Sequence, residues 1–159
     1  MRTIMRAMAI TAASASLSLI AATSAVAADP GDITFSFAVD GPSVVNTITN
    51  ASDAAKHCGT SLAPAPGGVL PPVSEVLQNG QTLYATGEAQ AGIAIQTVSD
   101  VPAGTYVVLA SCSSTDGDTT TAWISDYPGL DEYLAELPWT SHTVVQASTI
   151  VVIEGDSTS

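Results

Sequence analysis

Positive charge is what this chain has least of. Its 159 residues include three lysines and arginines against 15 aspartates and glutamates. Arg2 and Arg6 stand at the extreme start, so beyond residue 27 Lys56 faces all 15 carboxylates alone, a formal charge of −14. Such a chain repels phosphate backbones and anionic headgroups, which excludes nucleic acid and simple membrane adsorption as partners. The carboxylates are scattered from Asp29 to Asp156 with no long block, the pattern of a solvated, self-repelling surface.

Other absences narrow the chemistry. There are two cysteines and two well-separated histidines, His57 and His142, so no cluster has zinc-like spacing. No Gly-x-Ser-x-Gly elbow is present, which leaves an α/β-hydrolase without its nucleophile turn. Beyond residue 27 no apolar run is long enough to cross a bilayer. Residues 144–153 come nearest, but they are too few and carry Gln146 and Thr149.

What is present begins with an export signal. Arg2 and Arg6 form a basic head, residues 10–26 an alanine-rich apolar stretch, and Ala25-Val26-Ala27 the small residues that a signal peptidase reads. Residues 1–27 are therefore expected to be a secretory signal peptide. Cleavage after Ala27 or Ala28 would leave a mature chain of about 131 residues. No cysteine opens that chain, so a lipid anchor is not expected. Residues 28–159 are long enough for one domain around a single core. In an exported chain, Cys58 and Cys112 read as one disulfide.

The hydropathy pattern is that of strands. Residues 33–40 alternate apolar and small or polar side chains and end at a Gly41-Pro42 turn. Residues 44–49 are rich in β-branched side chains and read as the next strand, and 57–62 form a weaker strand carrying the first cysteine. Four prolines and two glycines make residues 64–72 a loop. Residues 73–78 and 81–86 flank Asn79-Gly80 and read as a hairpin. Further strands are expected at 93–98, 105–112 and 119–125, with Tyr106, Val108, Ala110 and Cys112 on one face. Residues 128–137 suggest a short helix capped by Asp126 and stopped by Pro138, with Leu130, Leu134 and Leu137 along one side. Residues 143–153 read as one long closing strand. The sum is an all-β, antiparallel β-sandwich with one short helical insertion.

Two short stretches carry a resemblance. Val101-Pro102-Ala103-Gly104-Thr105-Tyr106 resembles the Gly-x-Tyr start of a strand in bacterial immunoglobulin-like domains. Val45 to Asp53, followed closely by Cys58, is similar to their early strands. The resemblance implies an immunoglobulin-like sandwich and no particular function. Two features depart from the antibody type. Tyr106 lies six residues before Cys112 instead of two, and no tryptophan lies between the cysteines.

Candidate chemistry is sparse. Ala54-Ala55-Lys56-His57-Cys58 and Gly155-Asp156-Ser157 resemble the histidine and serine motifs of trypsin-like proteases, with Asp100 between them. Lys56 interrupts the first motif, and the chain is too short for two barrels, so no catalytic residue is assigned. Asp116-Gly117-Asp118 lacks the alternating ligands of a calcium loop and reads as a hairpin tip, so no metal or cofactor is expected. The carboxylates of Glu132 and Glu136 mark no substrate cleft. Of eight aromatic residues, four crowd one segment: Trp123, Tyr127, Tyr133 and Trp139. These four are the candidate binding surface, against the alternative that they close one open end of the core. The expected function is a secreted, non-enzymatic binding or structural module with a protein or glycan ligand at the envelope. The alternatives are an inhibitor of a foreign protein presented on the 64–72 loop, and a small hydrolase.

Overall fold

The computed structural model describes residues 28–78 and 82–155. The expected signal peptide at residues 1–27, the expected hairpin turn at 79–80 and Ser157 lie outside the described residues. Three strands, β1 (Ile33–Asp40), β2 (Ser43–Asn50) and β5 (Gly92–Val98), form an antiparallel sheet in the order β1-β2-β5. A second sheet contains β3 (Lys56–Pro64), β4 (Leu83–Ala89), β6 (Gly104–Asp116), β7 (Thr119–Asp126) and β8 (Thr140–Ala147), in the order β4-β3-β6-β7-β8. A last strand, β9 (Thr149–Ile153), also pairs with β6. The sheets pack face to face, so the all-β sandwich read from the alternation is the fold.

The alternation of β1 explains its place. Ile33 and Phe35 are buried and Phe37 half-buried, while Thr34, Ser36 and Ala38 face solvent. Their inner partners come from both sheets, including Ile48, Cys58, Cys112, Trp123 and Val144. A second inner cluster joins Val44 and Val98 of the first sheet to Leu62, Tyr106, Val108, Val151 and Ile153 of the second. Between them a chain of buried hydrogen bonds crosses the sandwich. Asn46 Nδ2 donates to Thr60 Oγ1 at 2.8 Å, Thr60 Oγ1 to Gln96 Oε1 at 2.7 Å, and Gln96 Nε2 to Cys58 O at 2.9 Å.

The disulfide is present and joins Cys58 to Cys112. The two residues sit directly opposite each other on β3 and β6, with Cα atoms 4.0 Å apart, so the bond ties neighbours within one sheet. Trp123 lies opposite Cys112 on β7 and packs into the same inner cluster.

Sheet two is buried on both faces over part of its width. Val108, Ala110 and Cys112 point inward, whereas Val107 and Leu109 point outward into a third layer. That layer consists of the 64–72 loop and two short helices, α1 (Val73–Gln78) and α2 (Leu130–Leu134).

The cap and the C-terminal strands differ from the sequence pattern at three places. Residues 73–78 form α1 and not a hairpin strand. Val73, Val76 and Leu77 share a helical face on the cap cluster, and the amides of Glu75 and Val76 donate to Pro72 O. The second helix is shorter than expected: Asp126 ends β7 and caps nothing, and Gly129, at φ 80°, precedes the first helical residue. Weaker helical turns then carry the backbone bonds to Leu137. Residues 143–153 are two strands and not one. Because β8 runs parallel to β7 while β9 runs antiparallel to β6, the sandwich is not wholly antiparallel. At the break, the Ser148 amide donates to Asp126 O, and the buried Ser125 hydroxyl accepts from the Ala110 amide at 3.0 Å while lying 3.2 Å from Ser148 Oγ.

Closing a loop across 54 residues stabilises the fold by about 4 kcal/mol on the chain-entropy model. Replacing both cysteines by serine should lower the urea unfolding free energy by an amount of that order. An unchanged midpoint would show that the sheet pairing holds β3 to β6 without the bond.

Candidate functional site

The four aromatics of the 123–139 segment do not form one exposed patch. Trp123 faces inward because its position opposite Cys112 fixes its side of the sheet, and it is wholly buried. Its Nε1 donates to Asp29 O at 2.9 Å, the Lys56 ammonium rests 5.1 Å from its ring centroid, and the His142 ring lies 5.9 Å away. Tyr127 is buried in the cap cluster, and Tyr133 is half-buried against it. Only Trp139, at 44% exposure, lies open on the surface. Three of the four aromatics therefore pack into the body of the protein.

Tyr127 ties the cap to the proline loop. Its hydroxyl donates to Pro71 O, at the C-terminal side of residues 64–72. Burial pushes the pKa of this hydroxyl above the ordinary value of 10.0, and the Glu75 carboxylate adds to the shift. At the loop's other side the Ala65 amide donates to Thr105 O at 2.9 Å, and Ala65 itself is fully buried. Between these ties the chain makes a tight turn. The Gly68 amide donates to Ala65 O at 2.9 Å, and Gly67 and Gly68 take φ of 66° and 76°. Only glycine adopts that backbone without strain; a Cβ at either position would meet nothing, so conformation and not space demands it.

The turn sends Val69 outward. Val69 is 70% exposed and extended, at φ −86° and ψ 122°, while Leu70 after it is half-buried on the cap. The loop contains none of the chain's carboxylates. This is a short apolar tip on a base held from both sides.

The opposite end of the molecule carries an open groove of about 1020 Å³ between the β2–β3 turn and the β6–β7 hairpin. Asp32, Asp53, Glu88 and Asp116 line it together with His57, several serine and threonine hydroxyls and Lys56. Lys56 is only 5% exposed, its aliphatic stem covered and its ammonium on the Trp123 face. Asn50 shapes the β2–β3 wall: its amide donates to Ala54 O and Ala89 O, and its Oδ1 accepts from the amide and hydroxyl of Ser52.

No family model, curated protein or solved structure matches the chain.

Its own geometry must therefore carry the functional reading, and it sets His57 and Asp100 of the protease-like motifs apart. His57 is the second residue of β3, at the groove end. Asp100 lies at the other end, beside Val101, whose amide donates to Pro42 O. The length of β2 separates the two ends, roughly 20 Å at strand rise. The Asp116-Gly117-Asp118 segment is the β6–β7 turn, with Gly117 at φ 58°. Among the described residues no group of three or more side chains is placed to hold a metal ion. Glu132 and Glu136 are both exposed. Sequence reading missed the tie between Tyr127 and Pro71. Its only trace was the pairing of a loop rich in proline with an aromatic that no core strand required.

Two measurements test this assignment. Acrylamide should quench one indole, Trp139, and Trp139→Phe should leave only protected emission from Trp123. Quenching of the remaining tryptophan would place Trp123 outside the core. Tyr127 favours its neutral form when folded, so its contribution to stability is complete below the unfolded tyrosine pKa and is lost as pH rises through the higher folded value. In a spectrophotometric titration, Tyr127→Phe should remove one tyrosine transition displaced to higher pH and flatten the loss of stability at high pH.

Proposed function

We propose that the protein is a secreted, non-catalytic binding module that engages a protein partner through the 64–72 loop. The observation that supports this reading is the double anchorage of that loop, by Ala65 to Thr105 and by Pro71 to Tyr127, beneath an exposed Val69. A loop already held in one conformation gives up little entropy on binding, so a small apolar tip can yield useful affinity. Secretion accords with the leader-like first 27 residues and with a disulfide, which persists in oxidising compartments. No helix among the described residues is long and apolar enough to cross a membrane.

The immunoglobulin-like likeness belongs to the same proposal. The Tyr106 hydroxyl donates to Pro102 O at 3.0 Å, as the corner tyrosine of such sandwiches does to backbone a few residues upstream. The disulfide speaks against the antibody type, because there the bond joins the two sheets. A second reading is favoured by the groove. Its hydroxyls and carboxylates would suit the hydroxyl pattern of a neutral glycan.

A photo-cross-linking residue placed in turn at Val69, at Thr115 in the groove and at Thr97 on the outer face of the first sheet separates these readings. The loop reading expects adducts from Val69 that excess unlabelled protein competes away and excess Val69→Asp protein does not. Competed adducts from Thr115 alone would move the function to the groove, and equal labelling from Thr97 would mark the contacts as nonspecific.

A further inference from the structure

Resting on the loop-binding reading, we infer that the partner is an extracellular endoprotease with a small aliphatic primary pocket, and that Val69 fills that pocket as the specificity residue of an inhibitor. Endoproteases accept a peptide as an extended strand that projects one side chain into a pocket next to the scissile bond. Val69 itself is extended, at φ −86° and ψ 122°, and follows directly on the Gly67-Gly68 turn, with its amide donating to Pro66 O at 3.4 Å. Leu70 precedes Pro71, which disfavours helical backbone at Leu70 and prolongs the extended run.

The flanks suit a cleft. On the N-terminal side, Gly67 and Gly68 present bare main chain, so enzyme walls can approach without meeting side chains. On the C-terminal side the loop is fastened to the body, with Leu70 packed on the cap and Pro71 O accepting from Tyr127. That fastening is what distinguishes an inhibitor from a substrate. If water were added across the Val69–Leu70 bond, the new Val69 carboxylate and Leu70 amine would remain side by side, held by Ala65–Thr105 and Tyr127–Pro71. Cleavage would then release little chain entropy and resynthesis would compete with it. No carboxylate lies in residues 64–72, so docking leaves no charge of the loop unpaired in the cleft.

The pocket's size follows from the side chain. A β-branched valine fills a shallow site of the elastase type and leaves a deep aromatic or cation-binding site mostly empty.

The test titrates the oxidised, exported protein against an elastase-type and a trypsin-type protease acting on small peptide substrates. The expected result is saturable inhibition of the first enzyme and none of the second. Val69→Lys should weaken inhibition of the elastase-type enzyme by at least about thirtyfold, as loss of a central anchor does, and should create inhibition of the trypsin-type enzyme. Tyr127→Phe, which keeps the ring and removes the tie, should retain the circular dichroism spectrum yet be cut after Val69 several times faster. Absence of inhibition at molar excess, or inhibition that Val69→Lys leaves unchanged, overturns the inference. A competed Val69 cross-link to a protein that is not a protease would do so too while leaving the binding reading intact; no competed adduct at Val69 and no inhibition would end both.

Discussion

The burial of β6 on both faces is the constraint on which most of the molecule depends. Tyr106, Val108, Ala110 and Cys112 fill the space between the sheets, and Val107 and Leu109 project the other way. In a sandwich of two layers those outward residues would meet water, at about 1.5–3 kcal/mol for each large side chain left exposed. The third layer answers that cost. Ala65, Val76, Tyr127, Leu130 and Leu134 come from three separated stretches of chain and share one outward cluster with them. The loop's rigidity is a by-product of this covering, since Tyr127 reaches Pro71 only because both lie on the cap.

The other end of the molecule is organised around Trp123. Its ring packs with the disulfide, its Nε1 satisfies Asp29 O, and its face receives the Lys56 ammonium. In a chain so rich in carboxylates, Lys56 is held by an aromatic face and stays mostly covered. The polar chain from Asn46 through Thr60 and Gln96 to Cys58 O runs beside this cluster and sets the sheets in one register, because a slip would leave several buried groups unpaired. Asn46 Oδ1 and His142 Nε2 have no partner there.

The sequence was most readable where one local rule acted alone. The faultless alternation of β1, the Gly41-Pro42 and Asp116-Gly117 turns and the paired cysteines each have a single reading, and each stands in the structure. Residues 73–78 failed because the hairpin signal of Asn79-Gly80 pointed to a strand, whereas apolar side chains at 73, 76 and 77 stand at helical spacing and the uncovered face of β6 receives them. The run from Val107 to Ala110, apolar without alternation, was the available sign of a strand covered on both faces. Trp123 and Tyr127 look like surface anchors in a segment rich in aromatics. Their burial follows from strand register and from a contact 56 residues away in the chain, neither of which short spacing encodes. The groove was legible only in fragments, because its walls come from turns distant in sequence.

The break at Ser148 determines how the molecule meets its neighbours. On its side away from β3, β6 pairs with β7 over Ser111–Asp116 and with β9 over Gly104–Val108. If the final segment had continued alongside β7, the second stretch, with Tyr106, Val107 and Val108 and no charge, would have been an open template for any passing strand. By turning away at Ser148, the chain covers with its own last five-residue strand the part of β6 most able to recruit another copy. Resistance of this stretch of β6 to strand pairing thus has a topological source as well as an electrostatic one, and the topological one does not weaken as salt screens the carboxylates.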